Sequence, residues 1–202
     1  MQDTVIESIR ERVSVAIEVN QSVGIQVPEN RHKDLLEAIF HSMRRNTSDI
    51  WTFITVNQTF DYLTKTFKEI TQQPNIKFID CISRAAGISD NSNNCFFLES
   101  PVMLENLILE VMNNFKIKKE TMNNAKNKKF DDADKYIVID SLGALLIYND
   151  SEILKKFYSL VMNRSRAENI HVVSIFVEEE LNSNQLIQFN DKIIVVRDSF
   201  ID

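Results

Sequence analysis

Glycine is scarce in this sequence: the 202 residues include only Gly24, Gly87 and Gly143. A backbone that wraps closely around a phosphate group needs glycines, because they reach positive φ and let main-chain amides approach the anion. Three scattered glycines form neither the GxGxxG pattern of dinucleotide-binding loops nor the GxxxxGK pattern, followed by Ser or Thr, of the phosphate-binding loop. The sequence therefore excludes both standard phosphate loops.

Cysteines and long apolar runs are also scarce. Cys81 and Cys95 are the two cysteines, and they form no CxxC pattern. This usage is typical of reduced, buried thiols in a cytoplasm rather than of a disulfide scaffold or a zinc site. No apolar stretch approaches the roughly 18 to 20 residues that cross a bilayer. Charged residues interrupt the apolar positions near the N-terminus, whereas a signal peptide has an uninterrupted apolar core. We therefore expect a cytoplasmic protein without a membrane partner.

The charge balance argues against a nucleic-acid partner without excluding one. The formal net charge is −6, whereas nucleic-acid binders usually carry a basic face. One exception is the stretch from Lys116 to Lys129, which holds six lysines and one glutamate. Its last part, with Lys126, Lys128 and Lys129, is a candidate contact for phosphates or for a partner protein. The alternative is a solvated connection, which the absence of aromatic residues for base stacking favours.

Apolar periodicity predicts helices that alternate with strands. An amphipathic helix is expected within residues 1–20, and Asn30 is expected to cap a second helix. Further helices are predicted over 60–70, after the Ser100-Pro101 pair, from about Ser151, and near Gln185. Strands are predicted at 22–27, 50–56, 76–82, 136–140, 171–177 and 192–196.

These predicted strands are apolar along most of their length, as are strands that are covered on both faces. Strands alternating with helices imply right-handed crossovers and a mostly parallel sheet. We therefore expect an α/β fold, a single domain over residues 1–202 with its core sheet within 22–196. The order of the strands does not follow from the pattern.

Asp140 is the principal candidate for chemistry. It ends the apolar run YIVID and should lie at the carboxyl end of a central strand, the edge where open α/β sheets bind ligands. In nucleotide hydrolases an aspartate in this place holds magnesium, usually through water. The alternative is that Asp140 and Ser141 only cap the next turn. No other metal site is predicted, because His32, His41 and His171 lack ligand spacing and are expected to be surface or packing residues.

Several motifs in order carry a family resemblance: FITVNQTFDYLTKTF, FLESPVMLENLILEV, YIVIDSLGALLIYND, NRSRAENIHVVSIFVEEE and LIQFNDKIIVV. Over about Ser22 to Val196, the chain resembles the KaiC-like branch of the RecA superfamily. The resemblance implies a RecA-type core in which YIVIDSL is the Walker B strand. It also implies that Arg164 and Arg166 lie in a segment that presents basic residues to a neighbouring subunit.

The departures from this family are at least as informative. VPENRHKDLL stands where the family has GxxGxGK followed by Ser or Thr, without a glycine. The remnant of a phosphate site would consist of Asn30, Arg31 and Lys33 together with Asp140 and Ser141. After FITV the family usually has paired glutamates, one of which polarises the attacking water. Asn57 and Gln58 stand there, and neither amide accepts a proton at neutral pH.

The loss of two separate parts of the machinery predicts a pseudo-ATPase with a degenerate Walker A motif and no cofactor. We therefore expect a protein-interaction or regulatory module in signalling, acting by self-association or with an active homologue. One alternative is an atypical ATPase, in which Asp140 holds magnesium and Lys33 or Arg31 meets the phosphates of ATP. Another is a nucleic-acid-associated regulator that uses the lysine-rich stretch.

Overall fold

The computed structural model describes residues 2–45, 47–88, 92–123, 133–178 and 184–197. Seven strands form one sheet: β1 (Ser22–Val27), β2 (Ile50–Thr55), β3 (Ile76–Asp80), β4 (Cys95–Phe97), β5 (Lys135–Ile139), β6 (Ile170–Val177) and β7 (Lys192–Val195). The helices are α1 (Gln2–Val19), α2 (Glu29–Arg45), α3 (Phe60–Thr66), α4 (Lys68–Thr71), α5 (Leu104–Asn123), α6 (Ser151–Ala167) and α7 (Asn184–Ile187). A 3₁₀ turn spans Gly143–Ile147.

The sheet has the strand order β4-β3-β2-β5-β6-β1-β7, and every neighbouring pair is parallel. This confirms the predicted α/β class. The six predicted strands are present, and β4 is a seventh that the sequence did not reveal. Its three residues are too few to show a period, and it lies at the edge of the sheet beside β3.

Both faces of the sheet are covered by helices, as the apolar strands predicted. Phe53 and Ile54 are neighbours in β2, yet they are buried in opposite clusters. Helices α1 to α4 pack over the Phe53 face, and helices α5 and α6 pack over the Ile54 face. A strand buried on both sides needs apolar side chains at successive positions, which explains the lack of polar alternation.

Helix α1 packs on the chain's own second helix. Ile9 and Val13 are fully buried in the same cluster as Leu36 of α2. The hydroxyls of Ser14 and Ser42 lie 2.7 Å apart between the two helices. The apolar stripe of the N-terminal helix is therefore used within the fold. Among the described residues, no helix is long and apolar enough to cross a membrane.

Two predicted helix starts are wrong. Helix α2 begins at Glu29, so Asn30 lies inside its first turn and does not cap it. Pro28 has a φ that already suits a helix, and its carbonyl accepts a hydrogen bond from the Arg31 amide at 2.9 Å. Helix α5 begins at Leu104, because Ser100 and Pro101 belong to a separate turn closed by the Met103 amide.

Two other segments differ from the prediction. The predicted helix over 60–70 is two short helices, separated at Phe67 by a non-helical backbone with φ −128° and ψ 50°. Helix α5 continues to Asn123, so the first part of the lysine-rich stretch is helical rather than an open connection. Lys126, Lys128 and Lys129 lie outside the described residues, and their role stays a prediction.

Candidate functional site

The candidate site lies at the carboxyl edge of the sheet, between β2 and β5. The chain leaves β2 toward β3 on one side and leaves β5 toward β6 on the other. Such a reversal is the place where open α/β sheets bind ligands. Asp140 directly follows β5, and its amide donates to the Ile54 carbonyl at 3.0 Å. The acid therefore lies where the sequence placed it, at the end of the central strand.

The Asp140 side chain is enclosed by the ends of these two strands. Asp140 is fully buried, and its Oδ2 accepts a hydrogen bond from Thr55 Oγ1 at 3.1 Å. The same hydroxyl also faces the carbonyl of Gln58 in the bend after β2. Thr55 thus connects the acid to the bend after β2. Asn57 in that bend is exposed, and Gln58 is half-buried.

His32 brings helix α2 against the same acid. The residue is only 4% exposed, and its Nε2 lies 3.2 Å from the backbone carbonyl of Asp140. The helix begins so soon after β1 that its first turn reaches the end of β5. This contact makes His32 a packing histidine, one of the two roles predicted for it. Its partner lies 108 residues away, so no local pattern could have identified it.

The other residues of the predicted phosphate remnant do not converge on one point. The Ser141 hydroxyl accepts from the Ala144 amide at 3.1 Å, just before the 3₁₀ turn. Arg31 forms an ion pair with Asp34 at 3.0 Å. Lys33 is exposed and lines a cleft with α1 and α4, on a different side of α2 from His32. Asn30 lies beside them in the first turn of α2.

A second acid at this edge, Asp80, has a structural role that the sequence analysis missed. Its Oδ1 accepts from the amides of Ile82 and Ser83 at 2.9 and 2.8 Å. Its Oδ2 accepts from the Phe60 amide at 2.7 Å and from the Ser83 hydroxyl at 2.6 Å. Asp80 thereby holds together the loops after β2 and β3. The run IKFID has the same form as YIVID, so the signal was present.

Cys81, the residue after Asp80, has an unreactive thiol. Burial, followed by the negative charges of Asp80 and Asp140, raises the pKa of its thiol far above the usual value. The thiol therefore stays protonated at neutral pH and is a poor nucleophile. Cys81 and Cys95 are both buried thiols, as predicted. Within the described ranges, no group of three or more His, Cys, Asp or Glu residues could hold a metal ion.

The basic segment at the end of α6 lies at the opposite edge of the sheet. Arg166 donates to Asp191 Oδ1 and to the Phe189 carbonyl, each at 3.1 Å. Asp191 in turn accepts a 2.6 Å hydrogen bond from the hydroxyl of Ser22, the first residue of β1. Arg164 is exposed in the same last turn. Both arginines are therefore remote from Asp140 within one chain.

This ion pair predicts a pH-dependent contribution to stability. Partial burial alone would raise the pKa of Asp191, but the hydrogen bonds from Ser22 and Arg166 and the charge of Arg166 hold it below its usual value. A lowered folded-state pKa stabilises the fold above the ordinary pKa, and the stabilisation is lost as the pH falls through the folded pKa.

Asp191→Asn should therefore lower Tm at pH 7 more than near pH 3, measured by thermal unfolding. Asp61→Asn, which removes an exposed pair with Lys65, is the control, and equal Tm losses for Asp191→Asn at both pH values would contradict the prediction.

The comparisons with known proteins agree with the fold. No protein-family model matches the sequence, and no curated protein matches it. A KaiC-like protein from the hyperthermophilic archaeon Pyrococcus horikoshii matches with a TM-score of 0.58 and 10% identity, over 87% of this chain and 70% of that one. An uncharacterised protein from the same archaeon, solved in complex with an unknown peptide, matches with a TM-score of 0.65 and 10% identity, over 90% and 81%. The chain therefore shares its overall α/β fold with these two proteins, one of which is KaiC-like.

Proposed function

We propose that this chain is a catalytically inactive KaiC/RecA-like domain that acts as a protein-interaction module in signalling or regulation. The observation that carries the proposal is the connection between β1 and α2, where Pro28 alone separates Val27 from Glu29. A phosphate-binding loop needs several residues there, with amides turned toward the anion. Proline has no amide to donate, and the connection is too short to surround a phosphate.

The side chains around Asp140 support the same proposal. The buried His32 ring lies against the end of β5, beside the acid that would hold magnesium in an active relative. Asn57 and Gln58 follow β2, and neither offers a carboxylate to activate water. A site without a phosphate cradle and without a general base supplies neither binding nor chemistry for ATP hydrolysis.

The comparisons support an interaction role in one respect. One solved structure with this fold, the uncharacterised archaeal protein, holds an unknown peptide. That finding concerns the other protein, and we carry it to this chain as a proposal. A fold that has lost nucleotide chemistry and keeps a complete core is then retained for what its surface binds. Self-association and pairing with an active homologue are both compatible with this role.

The proposal predicts that the protein neither binds nor hydrolyses magnesium-ATP. Isothermal titration calorimetry should show no binding tighter than about 1 mM, which corresponds to about 4 kcal/mol. A phosphate-release assay should show no turnover above the buffer. Affinity tighter than about 100 µM that Asp140→Ala abolishes would instead establish an atypical nucleotide site. Asp134→Ala is the matched control, because Asp134 is an exposed acid just before the other end of β5.

A further inference from the structure

A cleft on the α1–α4 face of the sheet is separate from the Asp140 site. It runs along α2, between α1 on one side and the bend that joins α3 to α4 on the other. Its volume is about 370 Å³, within the usual range of ligand-sized cavities. Three elements that are distant in sequence build it, and the sequence analysis assigned no role to it.

The cleft is positively charged in a protein that is negative overall. Four basic side chains line it: Arg10 from α1, Lys33 and Arg44 from α2, and Lys68 from α4. The lining includes two acids, Glu37 and Glu69, so positive charges exceed negative ones by four to two. The whole chain has a formal charge of −6. This cleft is therefore a local exception that attracts negative groups.

Part of this positive charge is not used within the chain. Arg44 forms an exposed ion pair with Glu69 at 2.7 Å, and Arg10 lies 3.5 Å from Glu7. Lys33 and Lys68 form no ion pair with any residue in the described ranges. Within those ranges the Nε of Arg10 is also buried without a hydrogen-bond partner, which is costly for a donor unless a ligand or water supplies an acceptor.

The floor of the cleft is apolar and aromatic. The rings of Phe40 and Phe67 meet edge to face, with centroids 4.9 Å apart. Phe67 is only partly buried and lies at the break between α3 and α4. On α2, Lys33, Phe40 and Arg44 follow one another at intervals of seven and four residues and so share one helix face. Lys33 and Arg44 are eleven residue steps apart, so this helix face forms a ridge about 16 Å long.

We propose that this cleft binds an acidic segment of a partner protein, with carboxylates of the segment at Lys33 and Lys68 and an apolar side chain of the segment on Phe67. The inference rests on the proposed interaction function and names the chemistry of the partner. A ridge of about 16 Å matches about five residues of extended chain. Glu37 and Glu69 lie among the basic groups and repel the continuous phosphates of a nucleic acid, whereas a peptide can place its carboxylates between them.

Selection from a random dodecapeptide phage library, with the whole protein as bait, tests the proposal. We expect the enriched peptides to combine aspartate or glutamate with an aromatic or aliphatic residue. A fluorescent synthetic copy of the best peptide should bind more weakly as salt rises, because the contacts are charge pairs at the surface. The double variant Lys33→Glu/Lys68→Glu should weaken its binding at least about tenfold, a loss typical of reversed interfacial charges.

The matched control reverses the same number of charges on the other side of the sheet. Lys155→Glu/Lys156→Glu on α6 gives an identical net charge and should leave peptide affinity within about twofold. Circular dichroism and Tm show whether each variant folds. Any of four results would overturn the assignment of the cleft. They are no enrichment of peptides, enrichment of peptides without acidic residues, equal losses of affinity in the two double variants, and tighter binding of oligothymidylate than of the peptide. Magnesium-ATP turnover would instead overturn the interaction function itself, so the two failures are distinguishable.

Discussion

Replacing Asp80 by alanine is expected to cost about 4 kcal/mol of unfolding free energy, the largest effect of any single substitution considered for this protein. The fully buried carboxyl group accepts hydrogen bonds from three backbone amides and one hydroxyl. Each buried donor that loses its acceptor costs about 1–3 kcal/mol. The alanine variant leaves the backbone amides of Phe60, Ile82 and Ser83 without the carboxylate acceptor. Since whole domains are stable by only about 5–15 kcal/mol, this loss should be large in urea denaturation.

The intermediate variant Asp80→Asn makes the test sharper. Asparagine keeps one oxygen acceptor, but its NH₂ group faces donors where the second oxygen was. We therefore expect a loss of about half that of alanine. Asp61→Ala, at an acid of α3 whose side chain is 48% exposed, should cost less than about 1 kcal/mol. If Asp80→Ala were as mild as Asp61→Ala, the loops after β2 and β3 would not depend on this acid.

Replacing Gly24 by alanine is expected to destabilise the protein by about 2 kcal/mol, through crowding alone. A Cβ at this position in β1 would lie 2.8 Å from Asn190 Nδ2 and 3.0 Å from Ile187 Cγ1. Asn190 cannot easily move aside, because its Oδ1 accepts from the Tyr158 hydroxyl at 3.0 Å and its Nδ2 donates to the Ile187 carbonyl at 2.9 Å. Gly24 is therefore needed because a side chain would not fit, and not because the backbone has an unusual φ. Thermal unfolding measures the loss of stability.

A double-mutant cycle identifies the cause of that loss. Asn190→Ala removes the obstructing amide at its own cost, since Tyr158 then loses one of its two side-chain partners, Ser174 and Asn190. In this background, Gly24→Ala should cost less than about 1 kcal/mol, because neighbouring residues couple strongly in such cycles. An unchanged cost in both backgrounds would exclude the clash with Asn190.

The parts of the fold that were predictable depend on local chain chemistry. Phe53 and Ile54 are both apolar because β2 is covered on both faces, and that pattern is visible without a structure. Asp140 was placed correctly because an acid after an apolar strand marks the end of that strand. Strand β4 was missed because it has three residues, and its exposed position is the apolar Phe96, so the alternating burial is invisible in the sequence.

The candidate site was less predictable because its contacts join distant segments. IKFID and YIVID look similar, yet Asp80 is held by its own loop and by the Phe60 amide, whereas Asp140 is held by Thr55 of the neighbouring strand. Lys33 or Arg31 was proposed to meet a phosphate, but His32, which lies between them, is the residue that faces Asp140. A one-residue step along a helix turns a side chain by about 100°, so only the packed position of α2 decides between them.

The sequence by itself determined that the chain lacks a glycine-rich phosphate loop and the paired glutamates after the second strand, because these are statements about which residues are present. It also determined the parallel, doubly covered sheet, since strand and helix periodicity are local properties. Only the tertiary structure decided the strand order, the burial of His32 against Asp140, the hydrogen bonds of Asp80, and the basic cleft beside α2. These depend on contacts between residues far apart in the chain, which packing of the whole core selects and no local pattern encodes.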